Sequence, residues 1–160
     1  MKISAATGTR AIDVASQLVE LAGAEEEPDF LTQLRLQKLL YYVQGWSLAS
    51  RGKPMFDDVI EAWSHGPVVR KVYAAFHDAS VGVITRSNFP AGIRPLSEAD
   101  AKFVRQVWDT YKDYSAVSLR KMTHEERPWL DARKSLRPEE ASRAVITHNA
   151  MKEYFESTGE

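Results

Sequence analysis

No cysteine occurs among the 160 residues. Disulfides, thiolate nucleophiles and cysteine-based zinc sites are therefore excluded, which suits a reducing cytoplasm. An excess of one charge is also missing. The 21 basic and 22 acidic residues leave a formal net charge of −1, so the total draws the chain neither to nucleic acid nor to an anionic membrane. No apolar run approaches the length of a membrane span. Met1 is followed by small and polar residues, not by a basic and then apolar leader. A cytoplasmic protein is the expectation. The eight glycines form neither a dinucleotide fingerprint nor a phosphate loop, and Gly66 precedes Pro67, which lacks the N–H that cradles phosphate. Among His65, His77, His124 and His148, no two stand at the short helical spacing of paired metal ligands. Neither a metal nor a cofactor is expected.

What is present is ordinary for a globular chain: 44% hydrophobic and 27% charged residues, with four Trp, six Tyr and six Phe. One domain over residues 1–160, with its core in about 11–155, fits this length. Ala11, Val14, Ala15, Leu18, Leu21 and Ala22 mark one helical face, and Gly23 stops that helix. Thr32 is placed to cap a longer helix that is apolar nearly all round, from Leu34 to Leu48, ended by Gly52 and Pro54. Phe56 to Ser64 reads as a short extended segment, followed by a His65-Gly66-Pro67 turn with Pro67 in the first turn of a helix. Ser80 to Leu96 reads as a loop that could hold a short hairpin. Ser97 and Asp100 resemble a capping box, and further helices are expected at 101–111, 116–122, 129–134 and after Thr147. The expected fold is a mainly α bundle of six to seven helices with a short β element near residues 56–64.

Three local patterns could carry chemistry. His124-Glu125-Glu126 places an imidazole beside carboxylates, as acid–base catalysis needs. No nucleophile or oxyanion feature accompanies it, so a polar helix-to-loop junction is the favoured reading and no catalytic residue is assigned. Arg120, Lys121, Arg127, Arg133, Lys134 and Arg137 are basic, but acidic neighbours favour a solvated surface over a nucleic-acid face. Tyr41, Tyr42 and Trp46 fall at helical spacing and read mostly as core, with a hydroxyl edge able to reach a groove. The acidic run Glu25-Glu26-Glu27-Pro28-Asp29 reads as a solvated loop.

Three segments, in order, resemble one family: Leu34-Arg35-Leu36-Gln37-Lys38-Leu39-Leu40-Tyr41-Tyr42, then Ala62-Trp63-Ser64-His65-Gly66-Pro67-Val68-Val69 leading to Tyr73, then Thr123-His124-Glu125-Glu126-Arg127-Pro128-Trp129. Together they are similar to the Panacea domain of SocA-like antitoxins, which are often encoded beside toxin genes or in prophages. The resemblance runs from about Ala11 to Phe155. It implies a non-enzymatic antitoxin that silences a cognate protein toxin by direct contact, with delivery of the toxin to a protease as a further route in some members. A nucleic-acid-binding transcriptional regulator and a prophage-associated accessory protein are the alternatives. By that resemblance Lys38, Tyr41, Tyr42, Trp63, His65 and Val68 are candidates for touching the toxin. Gly66, Pro67, Tyr73, Thr123, His124, Glu125, Pro128 and Trp129 are the structural signature. No oligomeric state is implied.

Overall fold

A computed structural model describes residues 8–76, 82–134 and 136–159. The long apolar helix is its centre: α2, Gln33–Arg51, starts where the Thr32 hydroxyl accepts the Arg35 N–H and stops at Gly52, which takes the left-handed φ of 73°. Leu36, Leu39, Leu40, Tyr41 and Val43 are fully buried, because α2 is covered on several sides. Helices α1 (Ala11–Gly23), α4 (Glu98–Tyr111), α5 (Ala116–His124) and α7 (His148–Thr158) all pack on it. The closest approach is at Gly45, where a Cβ would fall inside the ring of Phe155 from α7. Phe155 meets Tyr41, Tyr42 and Trp46 edge-on, while Tyr42 stacks on Tyr111 with centroids 4.2 Å apart. Mainly helical architecture with a small β element is thus what forms, with seven α-helices among the described residues.

The β element is larger than the sequence implied. Strand β1 (Ile60–Trp63) lies between β2 (Gly66–Val68) and β3 (Val145–Ile146), and both pairings are antiparallel. Pro67 is therefore in a strand, opposite Ala62, and not in the first turn of a helix. It is tolerated because β2 is an edge strand, where a missing N–H breaks no ladder. The helix α3 begins only at Arg70 and runs to Ala75, and α6 spans Arg127–Arg133 with Pro128 in its first turn.

Three smaller expectations are corrected. Within residues 82–96 there is no hairpin: Ile84 bridges back to Leu31, and Arg86–Asn88 makes one 3-10 turn. The remainder of that segment, like His77, lies outside the described residues. The box at Ser97 is half formed. Its hydroxyl accepts the Asp100 N–H, while the Asp100 carboxylate instead receives Arg51 at 2.8 Å. The acidic run is not simply solvated, since Glu25 accepts the Trp108 indole N–H at 2.7 Å and Asp29 accepts Arg35 at 2.7 Å.

Two buried glutamines hold loops onto α2. The Gln37 amide oxygen accepts the Val69 N–H at 2.8 Å and so fixes the exit from β2. The Gln44 oxygen accepts the Met55 N–H at 2.8 Å, and its amide donates to the Phe56 carbonyl at 3.0 Å. Each supplies a partner to a backbone group that burial would otherwise strand.

Candidate functional site

The three signature segments meet where α2, the β1–β2 hairpin and the α5–α6 junction converge. Lys38, on α2, points its chain beneath Gly66. A Cβ at that glycine would lie 2.5 Å from Lys38 Cε and 3.1 Å from Thr123 Oγ1, and its φ is +118°, a value side chains resist. Glycine is thus required twice over at this one position. Lys38 is fully buried, and its ammonium nitrogen has no hydrogen-bond partner among the described residues. Burial, aided by the charge of Arg120, lowers its pKa to about 7.

A second polar group lies below. Glu126 accepts the Tyr41 hydroxyl at 2.9 Å on one oxygen and the Tyr42 hydroxyl at 2.8 Å on the other. The Tyr154 hydroxyl of α7 lies near the same carboxylate. Burial raises the Glu126 pKa to about 7, although the tyrosine hydroxyls pull the other way. Tyr41 and Tyr42 are pushed upward in turn by burial and by the carboxylate, so both stay protonated donors. The glutamate is the acceptor that a buried tyrosine pair on one helix needs.

The hairpin is tied down from the other side. His124 sits tilted against Trp129 with ring centroids 4.0 Å apart. Its two ring nitrogens face the carbonyls of Arg120 at 2.7 Å and Ser64 at 2.8 Å. Burial lowers its pKa, so the neutral ring donates to one of these two carbonyls and only the imidazolium could donate to both. Trp129 donates its indole N–H to the Trp63 carbonyl at 2.8 Å. Arg133, also buried, donates to the carbonyls of Ala62, Arg137 and Glu140, at 3.0, 2.8 and 2.5 Å, and lies over the Trp129 ring. The junction of α5 and α6 therefore clamps β1 through its backbone.

These positions sort the sequence candidates. Lys38, Tyr41, Tyr42 and Val68 are buried, Trp63 is half-buried and His65 is exposed. Gly66, Pro67, Thr123, Pro128 and Trp129 are buried within the same junction. Tyr73 lies on the surface, 38% exposed, with its ring edge-on to Trp63 at 5.1 Å. The Trp63 indole N–H is held by Glu61, which also pairs with Arg70 at 3.3 Å. Glu125 is exposed, and the carboxylate at the heart of the junction is Glu126. The sequence signalled that two adjacent buried tyrosines require an acceptor, but not that Glu126 supplies it. Tyr154, far along the chain, gave no such signal.

Three of the six basic residues are engaged within the fold. Arg133 is consumed by carbonyls, Arg127 pairs with Asp131 at 2.8 Å, and Arg137 pairs with Glu139 at 3.3 Å. Among the described residues no three His, Cys, Asp or Glu side chains gather as a metal would need, and no helix is long and apolar enough to cross a membrane.

Comparison with known proteins adds to this geometry. A family model described as "Antitoxin SocA-like, Panacea domain" matches residues 36–130. That stretch runs from α2 into α6 and contains the junction's residues apart from Arg133 and Tyr154. "Antitoxin SocA" of Caulobacter vibrioides (strain NA1000 / CB15N) is 41% identical over 63 residues, which are 39% of this chain and 32% of that relative. The matching stretch thus spans about a third of the curated relative's length. No solved structure matches the chain.

Proposed function

This chain belongs to the SocA-like, Panacea-domain antitoxin family, and from that footing we propose that it silences a cognate protein toxin by direct binding in the cytoplasm. The observation that carries the reading is the family match over residues 36–130, which include most of the junction. The reading assigns no catalysis. Its support is that His124 and Glu126, an imidazole and a carboxylate two residues apart, are spent on backbone carbonyls and tyrosine hydroxyls. A structural role for them leaves the protein's work to its surface.

The surface next to the junction is where contact with the toxin is best sought. Trp63, His65 and Tyr73 are the signature side chains that reach it, and a half-exposed Trp beside a Tyr has the make-up of a binding hot spot. Co-expression with the neighbouring gene product tests the proposal: growth is rescued and the two proteins co-purify. A neighbour that is harmless alone, or that forms no stable complex, rejects it. Delivery of the toxin to a protease is the finer variant. It requires the toxin's half-life to shorten when this chain is present, and an unchanged half-life removes that variant while leaving neutralisation by binding intact.

A further inference from the structure

The small sheet has two edges, and they are treated differently. On the β2 side the edge is closed. Gly66, Pro67 and Val68 are all buried, α2 and α5 lie against the strand, and Pro67 has no N–H to offer. These are the ordinary defences of a strand edge. On the β3 side α6 lies against the strand and the strand is only two residues long, but there is no proline and the outward backbone is left open. The Ala62 N–H donates to the Ala144 carbonyl at 2.8 Å, so Glu61 and Val145, one position on, face each other as a pair without mutual hydrogen bonds. The N–H and C=O of Val145 must then point away from β1. Neither has a backbone partner among the described residues.

The outer face beside this edge is only partly covered. Strand alternation places Val59, Glu61 and Trp63 on it, with Glu61 buried and engaged by the Trp63 indole and Arg70, and the pairing register adds Val145. Val59 is 54% and Val145 51% exposed, and Tyr73 borders the same face through Trp63. Two residues before Val145, Arg143 is exposed and forms no ion pair among the described residues.

We propose that the free edge of β3 receives an extended segment of a partner protein, which adds as an antiparallel fourth strand. Its backbone pairs with Val145, an apolar side chain packs on Val145, and a carboxylate two residues further along faces Arg143. The hydrogen bonds supply sequence-independent affinity, while alternate side chains supply the choice of partner. The charge of Arg143 selects the occupant. A second copy paired at Val145 would set Thr147, not a carboxylate, opposite Arg143, whereas an acidic strand supplies the missing opposite charge.

The test needs no knowledge of the toxin. The probe is the end-capped heptapeptide Thr-Val-Thr-Val-Thr-Glu-Thr, titrated into the 15N-labelled chain and followed by NMR. Binding at about 1 mM or tighter, with Val145 and Arg143 amides shifting most and the Val145 amide exchanging more slowly, is the expected result. The same peptide N-methylated at alternate residues should not bind. Arg143→Glu should reverse the preference, so that the version with lysine in place of glutamate binds at least tenfold better than the original. Val145→Pro, which removes only an outward N–H, should abolish binding in a chain whose β1 amide shifts are unchanged. If that variant fails to fold, the charge reversal decides alone. Shifts centred elsewhere, equal binding by the N-methylated peptide, or no reversal by Arg143→Glu would overturn the proposal. Concentration-dependent self-association through β3 would also overturn it, by giving the edge to a second copy.

Discussion

Replacing Glu126 by glutamine should change how stability depends on pH. The folded protein holds this carboxyl at a pKa of about 7 against an ordinary 4.5, so the native state binds the proton more tightly than the unfolded chain. For a raised acid the stabilising contribution is complete below the unfolded value and is lost as pH rises through the folded one. The window is therefore pH 4.5 to 7, and the displacement is worth about 3 kcal/mol, or at most about 1.4 kcal/mol per pH unit. Glutamine keeps the shape and one acceptor oxygen for Tyr41 or Tyr42, and it cannot ionise. Urea unfolding at half-unit intervals from pH 4.5 to 8, followed by tryptophan fluorescence, gives the slope directly. The wild type should lose stability across this range relative to Glu126→Gln, and the difference should level off above pH 7.5. Part of the gain is offset by one poorer tyrosine hydrogen bond, about 1 kcal/mol, at every pH. Parallel pH profiles for the two proteins would refute burial as the force acting on this group.

The neighbouring features make further predictions. Lys38→Met should stabilise the protein by about 2 kcal/mol at pH 6, because it removes a desolvated ammonium that has no partner. With the Lys38 pKa lowered to about 7, wild-type stability from this group is lost as pH falls toward 7, so the variant should flatten the rise between pH 7 and 9 seen in urea midpoints. Gly66→Ala should cost at least about 2 kcal/mol, from both its positive φ and the contact with Lys38, read as a drop in thermal midpoint. Arg133→Ala should cost about 3 kcal/mol through the carbonyls it strands, measured the same way. On the proposed function, Trp63→Ala combined with His65→Ala should weaken toxin capture at least tenfold, whereas Lys38→Met should leave capture in place, both measured by calorimetry.

The helices were legible because their signals are local. Thr32 and Thr147 cap where a hydroxyl precedes an apolar period, and Gly52 stops α2 by its left-handed turn. The all-round apolar pattern of Leu34 to Leu48 read correctly as a central helix. What escaped depends on partners distant in sequence. Strand β3 is two residues long and exists because Ala144 and Ile146 reach β1, more than eighty residues earlier. Pro67 carries the mark of a helix start, and the hairpin overrides it by offering an edge position. Glu125 and Glu126 are indistinguishable by type. Only the two tyrosine hydroxyls, supplied by α2, make the second of them the buried acceptor.

The division between buried signature and exposed face bears on how one fold could serve different toxins. Lys38, Gly66, Thr123, Glu126, Trp129 and Arg133 act on each other, on the tyrosine hydroxyls of α2 or on backbone carbonyls. Every one of these contacts bears on the position of the β1–β2 hairpin or of the α5–α6 junction that clamps it. Their product is a small sheet held rigidly against α2, with one edge sealed. A binding surface gains affinity when its elements are ordered before contact, because less entropy is lost on association. Val59, Val145, Arg143 and Tyr73 sit on that ordered frame, yet they contribute little to holding it. Substitutions there should change partner choice at small cost in stability, while substitutions at Gly66 or Arg133 should lose the frame and every partner together. Measuring stability and toxin capture on the same set of variants separates the two classes: if Val145 and Gly66 variants lose both in the same proportion, scaffold and contact are not separable in this fold.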